Sequence, residues 1–327
     1  MKKTMIILLS VCVVLFLAGG GMYAAAVAMG ADGYTTEVGG VTISATPGGF
    51  HFYLGEDGRT SAPAAPSAPE SPTQNSPVPD DSLVRVEAEL HLYDLEVTTG
   101  RELNIWTEDE GRGATISWTV ADGVLSITEE WEEDWTDWRN WVHFDGDDLK
   151  VHLVLPQEAA EELTLSVSAD YGDLDFDGVQ AGALTAQAGA GEIDLESCRI
   201  GEVSAVLGAG EIKVEKSEIS GLLSAESGSG DLKIEESTLG SADLSLAFGD
   251  IEIEGAMEGD LSAKTEAGDV RVRLSGQREA YSYELSTSFG DIRLNGTQYT
   301  GSHSEQNSGP LIRAETQFGD VQVTVGQ

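Results

Sequence analysis

The sequence predicts an all-β fold, a β-solenoid of about 19–20-residue coils. Three observations carry this reading. A Gly-acid-aliphatic phrase recurs at a nearly fixed interval, each copy opens a short alternating strand, and no convincing long helix breaks the run. The phrase stands at Gly172-Asp173-Leu174, Gly191-Glu192-Ile193, Gly210-Glu211-Ile212 and Gly230-Asp231-Leu232. It continues at Gly249-Asp250-Ile251, Gly268-Asp269-Val270, Gly290-Asp291-Ile292 and Gly319-Asp320-Val321, at spacings of 19, 19, 20, 19, 19, 22 and 29 residues. A fixed period near 20 is the mark of coils stacked one on the next.

Ahead of the repeats, residues 1–33 form an apolar leader. Lys2 and Lys3 precede an uncharged stretch from Thr4 to Ala31, long enough to span a bilayer with the lysines on the cytoplasmic side. The expectation is a single-pass anchor through residues 4–31 with an extracytoplasmic C-terminal domain. Small-x-small triplets at Ala24–Ala26 and Ala26–Ala28 keep open a cleaved signal peptide and secretion. Residues 34–55 are a membrane-proximal segment with no assigned structure. Residues 56–82 carry Pro63, Pro66, Pro69, Pro72, Pro77 and Pro79, a density that favours extended polyproline II and a semi-rigid spacer.

The solenoid domain is expected over 83–327, with regular coils from about residue 163. Its early strands (VRVEAEL, ATISWTV, VLSIT and LKVHLVLP) alternate apolar and polar residues, as strands with one buried face do. In each later coil Gly-acid leads into alternating aliphatics, such as Ile193/Leu195 and Ile212/Val214. A second glycine and an aliphatic-Ser/Thr-small strand follow, which sends small alanines inward opposite Ile and Leu. Outward positions on the first strand place Lys213 beside Asp194 and Arg271 beside Glu252 as neighbours able to pair. The 29-residue interval holds GSHSEQNSGP, expected as a loop between the last two coils. The final strand, VQVTV, is expected at the end of the stack as an edge.

The acids of the phrase stack along one edge. Carboxylates about 5 Å apart repel by roughly 1 kcal/mol in water, which capping of corner amides or bound cations would offset. The structural role is the first expectation. Ca2+ is the alternative cofactor, with Asp231, Asp250, Asp269 and Asp291 as candidate ligands, although one acid per coil supplies few of the six to eight oxygens calcium takes. No other cofactor is expected. The only cysteine of the body is Cys198, so neither a disulfide framework nor a Cys-based metal site is available there. The 57 acidic against 18 basic residues, a formal charge of −39, argue against nucleic acid as a partner.

One further stretch stands out. EEWEEDWTDWRNWVHF spaces Trp131, Trp135, Trp138 and Trp141 at helical intervals. It reads first as an amphipathic lid over the N-terminal end of the solenoid, second as a ligand-binding aromatic platform for sugar rings, and last as a membrane-interface insertion set against its acidic flanks.

The early strands, LKVHLVLP before LTLSVSADYGDLDF, and the Gly-Asp-aliphatic corners together resemble the bacterial "putative adhesin" domain family of unknown function, LiaG-like envelope proteins included. The resemblance covers about residues 84–325. It implies an extracytoplasmic single-stranded β-helix of the cell envelope, and it supplies no catalytic residues. The expected role is a membrane-tethered, adhesin-like binding or scaffold module with a cell-envelope glycan or envelope protein as partner and no catalysis. The alternatives are a regulatory or sensory interaction component of an envelope-stress system and, further off, a polysaccharide-active β-helix enzyme.

Overall fold

The computed structural model describes residues 34–38, 41–46, 49–54, 83–108, 114–131, 149–157 and 163–326. The leader, the proline-rich spacer and Trp135, Trp138 and Trp141 lie outside them. The chain divides into two units, Met1–Ala68 and Pro69–Gln327. No helix among the described residues is long and apolar enough to cross a membrane.

In the first unit the unassigned segment forms a three-stranded antiparallel sheet, β1 (Tyr34–Val38), β2 (Val41–Thr46) and β3 (Gly49–Leu54). The pairs Val38↔Val41 and Thr46↔Gly49 leave only Gly39-Gly40 and Pro47-Gly48 between strands.

The second unit is the solenoid. It opens with β4 (Arg85–Leu90), β5 (Asp94–Gly100), β6 (Asn104–Glu108), β7 (Ala114–Ala121), β8 (Val124–Trp131) and β9 (Lys150–Pro156). The central strands are β10 (Thr164–Tyr171), β11 (Leu174–Asp177), β12 (Gln180–Glu196), β13 (Arg199–Glu215), β14 (Glu218–Ser229), β15 (Leu232–Phe248), β16 (Ile251–Met257), β17 (Leu261–Ala267) and β18 (Val270–Leu274). It closes with β19 (Ser282–Phe289), β20 (Ile292–Leu294), β21 (Thr297–Tyr299), β22 (Ser302–Glu305), β23 (Leu311–Phe318) and β24 (Val321–Val325).

Through the middle the rungs follow the chain. Leu165, Leu184, Val203, Leu223, Ala242 and Leu261 stand in one parallel register column, and Val167, Ala186, Ala205, Ala225, Leu244 and Ala263 in the next. Opposite them run Ile193, Ile212, Leu232, Ile251 and Val270, all with no exposed surface. The alanine column makes the interior thin enough for a 19-residue coil to enclose. Each buried Leu or Ile contributes about 1.5–3 kcal/mol.

At both ends the sequential order expected from the repeat fails. Strand β4 lies between β8 and β10, and β5 between β9 and β11, so the first coil of the domain is internal. Likewise β23 lies between β17 and β19, and β24 between β18 and β20. VQVTV is therefore not an edge. The GSHSEQNSGP segment is not a plain loop either, because Ser302–Glu305 forms β22 and pairs antiparallel with β19. The long interval supplies the chain needed to turn back over the last rung and enter the one before it.

Antiparallel strands close the two ends. β7 covers β8 and β6 covers β9 at one end; β22 covers β19 and β21 covers β20 at the other. The turns Asp122-Gly123 (φ 51° and 78°) and Asn295-Gly296 (φ 47° and 81°) have both central residues at positive φ, as tight hairpins require. Asn295 is thus a turn residue. Strand β8 ends at Trp131, and the described residues resume at Leu149, ahead of β9. Over that end rung lie β6 and β7, and the segment expected as a tryptophan lid falls outside the described residues beyond Trp131.

Candidate binding edge of the solenoid

The recurring corner needs its glycine for two reasons. Gly191, Gly210, Gly230 and Gly249 have φ of 138°, 140°, 124° and 136°, where L side chains are strained. A Cβ on Gly210 would also lie 1.7 Å from the carbonyl oxygen of Gly191 on the rung below. The acid that follows ties the rungs together. Asp173 accepts the Glu192 N–H at 2.8 Å, Asp231 the Asp250 N–H at 3.1 Å, and Asp250 the Asp269 N–H at 2.8 Å. Beyond these, Asp269 accepts from Asp320 at 2.8 Å and Asp320 from Asp291 at 2.9 Å. In spatial order the column begins one rung earlier than the sequence phrase shows, since Asp94 accepts the Asp173 N–H at 2.8 Å. Each bond satisfies a corner amide, worth about 1–3 kcal/mol when the acceptor is charged.

The second carboxylate oxygens meet cations from the chain itself. Arg271 donates to Asp250 Oδ2 at 2.9 Å and also pairs with Asp269, while Arg293 lies 3.2 Å from Asp291 and 3.5 Å from Asp320. Glu211 takes Lys233 at 2.7 Å. Of the four calcium candidates, Asp231, Asp250 and Asp269 therefore serve as amide acceptors, and Asp291 ends the column paired with Arg293. Among the described residues no group of three or more His, Cys, Asp or Glu is arranged to hold a metal ion. The expected surface pairs rearrange as well: Lys213 bonds Glu215 at 2.7 Å, and Glu252 meets Arg273 at 2.7 Å.

Nearer the other end the same edge and its adjoining face are predominantly acidic. Burial holds the carboxyls of Asp94, Asp175, Glu192 and Asp194 above their ordinary range, and neighbouring carboxylates push the same way. Only Lys150, 3.6 Å from Asp175, and Lys213 bring positive charge to this cluster.

The next corner is a polar spine. Cys198 N–H donates to Ser217 Oγ at 2.9 Å, and Ser217 N–H to Ser237 Oγ at 3.1 Å. The Cys198 thiol donates to the Phe176 carbonyl at 3.2 Å and stands where its neighbours have serine hydroxyls. Burial pushes that thiol up to about 12, so it is a hydrogen-bonding strut and not a nucleophile.

What sequence reading missed is the residue just before the corner glycine. It points outward, and the parallel register sets the order Tyr171, Ala190, Ala209, Ser229, Phe248, Ala267, Phe318 and Phe289. The aromatics at this position are 45% (Tyr171), 59% (Phe248), 57% (Phe318) and 68% (Phe289) exposed. Phe289 and Phe318 stack with ring centroids 5.1 Å apart and planes within 3°. The signal was present as FGD, written three times at 248–250, 289–291 and 318–320. The end of β8 at Trp131 and the start of β9 at Lys150 both lie at this same edge. Trp131 pairs through its backbone with Ala114, and its three companions are outside the described residues. A second aromatic stands elsewhere at the capped end: Trp106 stacks on His152 at 4.7 Å, with Glu96 3.1 Å from that imidazole.

Comparison with known proteins fits this architecture. No curated protein matches the chain. Two solved structures are similar to it. One, described as a "putative cell adhesion protein" from Clostridium sporogenes, is 12% identical over 76% of this chain and 97% of that one, with a TM-score of 0.29. The other, described as a "putative adhesin" from Bacteroides fragilis, is 13% identical over 75% of this chain and 93% of that one, with a TM-score of 0.40. A family profile described as Toastrack DUF4097 matches residues 87–324, from β4 to the last strand. The chain belongs to the Toastrack DUF4097 family, the relationship that its early strands and Gly-acid corners had pointed to.

Proposed function

We propose that the chain is an adhesin-like, non-catalytic binding module of a bacterial cell envelope, anchored through residues 4–31 and held off the membrane by the proline-rich spacer. The observation that carries the reading is the row of outward aromatics at Phe248, Phe318 and Phe289 on a stack of rungs whose two ends are already covered. Exposed aromatic patches on a rigid scaffold are characteristic of recognition surfaces, where such side chains supply most of the binding free energy. The carboxylates of the adjoining column are engaged with corner amides and arginines, which favours an architectural over a catalytic role for them. The partner is an envelope glycan or an envelope protein.

The test is co-sedimentation of the detergent-solubilised full chain with isolated cell envelopes, in calcium and in chelator. Saturable pelleting is expected, weakened at least about fivefold by combined Phe248→Ala, Phe318→Ala and Phe289→Ala substitution. Wild-type protein that stays in the supernatant refutes the proposal. Loss of pelleting only in chelator would assign the acid column a metal role instead. Pelleting that persists on wall-free membranes and disappears after protease treatment would make the module a protein-contacting, regulatory one.

A further inference from the structure

The aromatic row has a gap of one rung. Phe248 and Ala267 are register partners, Ala267 and Phe318 are the next pair, and Phe318 and Phe289 the next. Two successive rung spacings separate the Phe248 and Phe318 backbones, about 9–10 Å at roughly 4.8 Å per rung. The alanine between them carries no ring, so that rung's place in the row holds only a methyl group. Where the row is continuous, Phe318 and Phe289 fill adjacent rungs at 5.1 Å. A planar group set over Ala267 would lie at nearly that distance from both Phe248 and Phe318.

The walls of the slot are held in place. Thr265 donates its hydroxyl to the Gly249 carbonyl at 3.1 Å and Thr316 to Gly268 at 2.9 Å, each two residues before the row. At the glycines that follow, Gly249, Gly268 and Gly319, the neighbouring rung's carbonyl oxygen lies 1.8, 1.9 and 1.9 Å from where a Cβ would stand.

The surroundings select the charge of the occupant. Glu266 is exposed beside Ala267, and Asp250, Asp269, Asp320 and Asp291 run along the next column. Against these five carboxylates stand two guanidinium groups, Arg271 and Arg293, while Lys264 has Glu315 as its register partner. The balance is negative. A second copy of a chain with formal charge −39 is disfavoured by repulsion, as is any anionic polymer. Neutral sugars need free hydrogen-bond acceptors around the ring, and the aspartates here are already taken up by amides and arginines. A flat cation needs only the ring faces and the field, and a guanidinium stacks on aromatic rings where an ammonium is held by its hydration.

We infer that the slot between Phe248 and Phe318 is a docking site for an arginine side chain of a basic polypeptide segment. This rests on the binding-module reading and names the partner class for it. Arginine enters over Ala267, its plane parallel to the two phenyl rings, with Glu266 and the acid column supplying the attraction.

The test compares nona-arginine with nona-lysine, two probes of equal charge, by fluorescence anisotropy on the detergent-solubilised full chain. Arginine is expected to bind roughly two- to fivefold tighter than lysine. Ala267→Phe, which fills the slot at a half-buried position and continues the existing stack, should bring that ratio to one while leaving lysine affinity unchanged. A thermal melt establishes that the variant is folded. Equal affinities in the wild type, or an arginine preference that survives Ala267→Phe, overturns the assignment. So does binding of chitohexaose, a neutral glycan, that Ala267→Phe abolishes. Envelope pelleting without arginine preference would sink the slot and leave the binding-module reading standing.

Discussion

Replacing Gly210 by alanine tests the corner argument directly. The added Cβ would sit 1.7 Å from the Gly191 oxygen and 2.9 Å from its carbonyl carbon, backbone atoms that no rotamer change can move away. Gly210 also has a φ of 140°, a conformation that costs an alanine about 1–3 kcal/mol. Relieving the contact means opening the rung spacing locally, which weakens about two inter-rung hydrogen bonds at roughly 1 kcal/mol each. The expected loss is about 3–5 kcal/mol, against about 1 kcal/mol for Gly296→Ala, where φ is 81° and nothing lies within 4 Å. Both glycines have positive φ, so most of the difference comes from the close approach. Urea unfolding of residues 69–327, followed by far-ultraviolet circular dichroism, reads both values. The denaturant slope of Gly210→Ala should also fall, because a broken rung uncouples the two halves of a stack held by nearest-neighbour contacts. If Gly210→Ala loses no more than Gly296→Ala, stacking of the rungs through this corner is not what requires glycine.

Three other perturbations follow from the geometry. Asp250→Ala removes the acceptor of the Asp269 N–H and a partner of Arg271, and should cost about 1–3 kcal/mol in urea unfolding. Asp250→Asn keeps the amide acceptor and should cost less than half of that; equal losses would mean that charge, not the amide bond, is what matters. Deleting residues 310–327 removes Ile312, Val321 and Val323 from the interior, about 1.5–3 kcal/mol each, and leaves β19 and β20 without their rung. Hydrogen exchange should then show residues 282–294 unprotected, whereas continued protection there would contradict the observed rung order. Burial raises Cys198 from 9.0 and Tyr283 from 10.0, both to about 12. A folded-state value raised in this way contributes stability that is complete below the unfolded value and is lost as pH climbs to the folded one. Melting temperature should therefore fall between about pH 9 and 12, and less steeply in Cys198→Ser, whose hydroxyl matches Ser217 and Ser237. Equal slopes, or fast labelling of Cys198 by a thiol reagent in the native protein at pH 8, would refute the buried-strut account.

The corners were legible because each is written in the chain at a constant distance from the last, and glycine with an acid has few other uses at that spacing. The alanine columns were legible for the same reason, since alternation fixes which residues face inward. Neighbour identity was not. Strand alternation is satisfied equally by any parallel partner, so nothing local states that β23 enters between β17 and β19. Asp94 escaped because Tyr93 occupies the glycine position of its corner, buried at 1% exposure. Ser197, Lys216 and Glu236 adopt φ of 56°, 50° and 50° without any glycine to announce the turn. The aromatic row was overlooked for a different reason. A phenylalanine before a corner glycine looks like core by composition, and only the register shows it facing water.

The rung order also bears on where a partner can bind. A parallel stack left to its repeat would end in two open ladders, each offering unpaired amides and carbonyls to another chain. Here the segments opening and closing the domain are internal, and hairpins laid antiparallel take their places at the ends. The hydrogen-bond pattern those outer strands present differs from that of a parallel rung, so end-to-end growth by further rungs finds no matching template. That shifts recognition to the sides of the stack. It also brings Phe318 next to Ala267, although Phe289 comes first in the chain, and so gives the alanine rung between Phe248 and Phe318 a doubled, stacked wall on one side and a single ring on the other. Had the rungs followed the sequence, Phe289 would have lined the gap and Phe318 would have stood outermost. Exchanging one ring at a time therefore separates the two arrangements. Phe318→Ala removes a wall of the slot and should abolish arginine preference, whereas Phe289→Ala removes only its backing and should leave most of it.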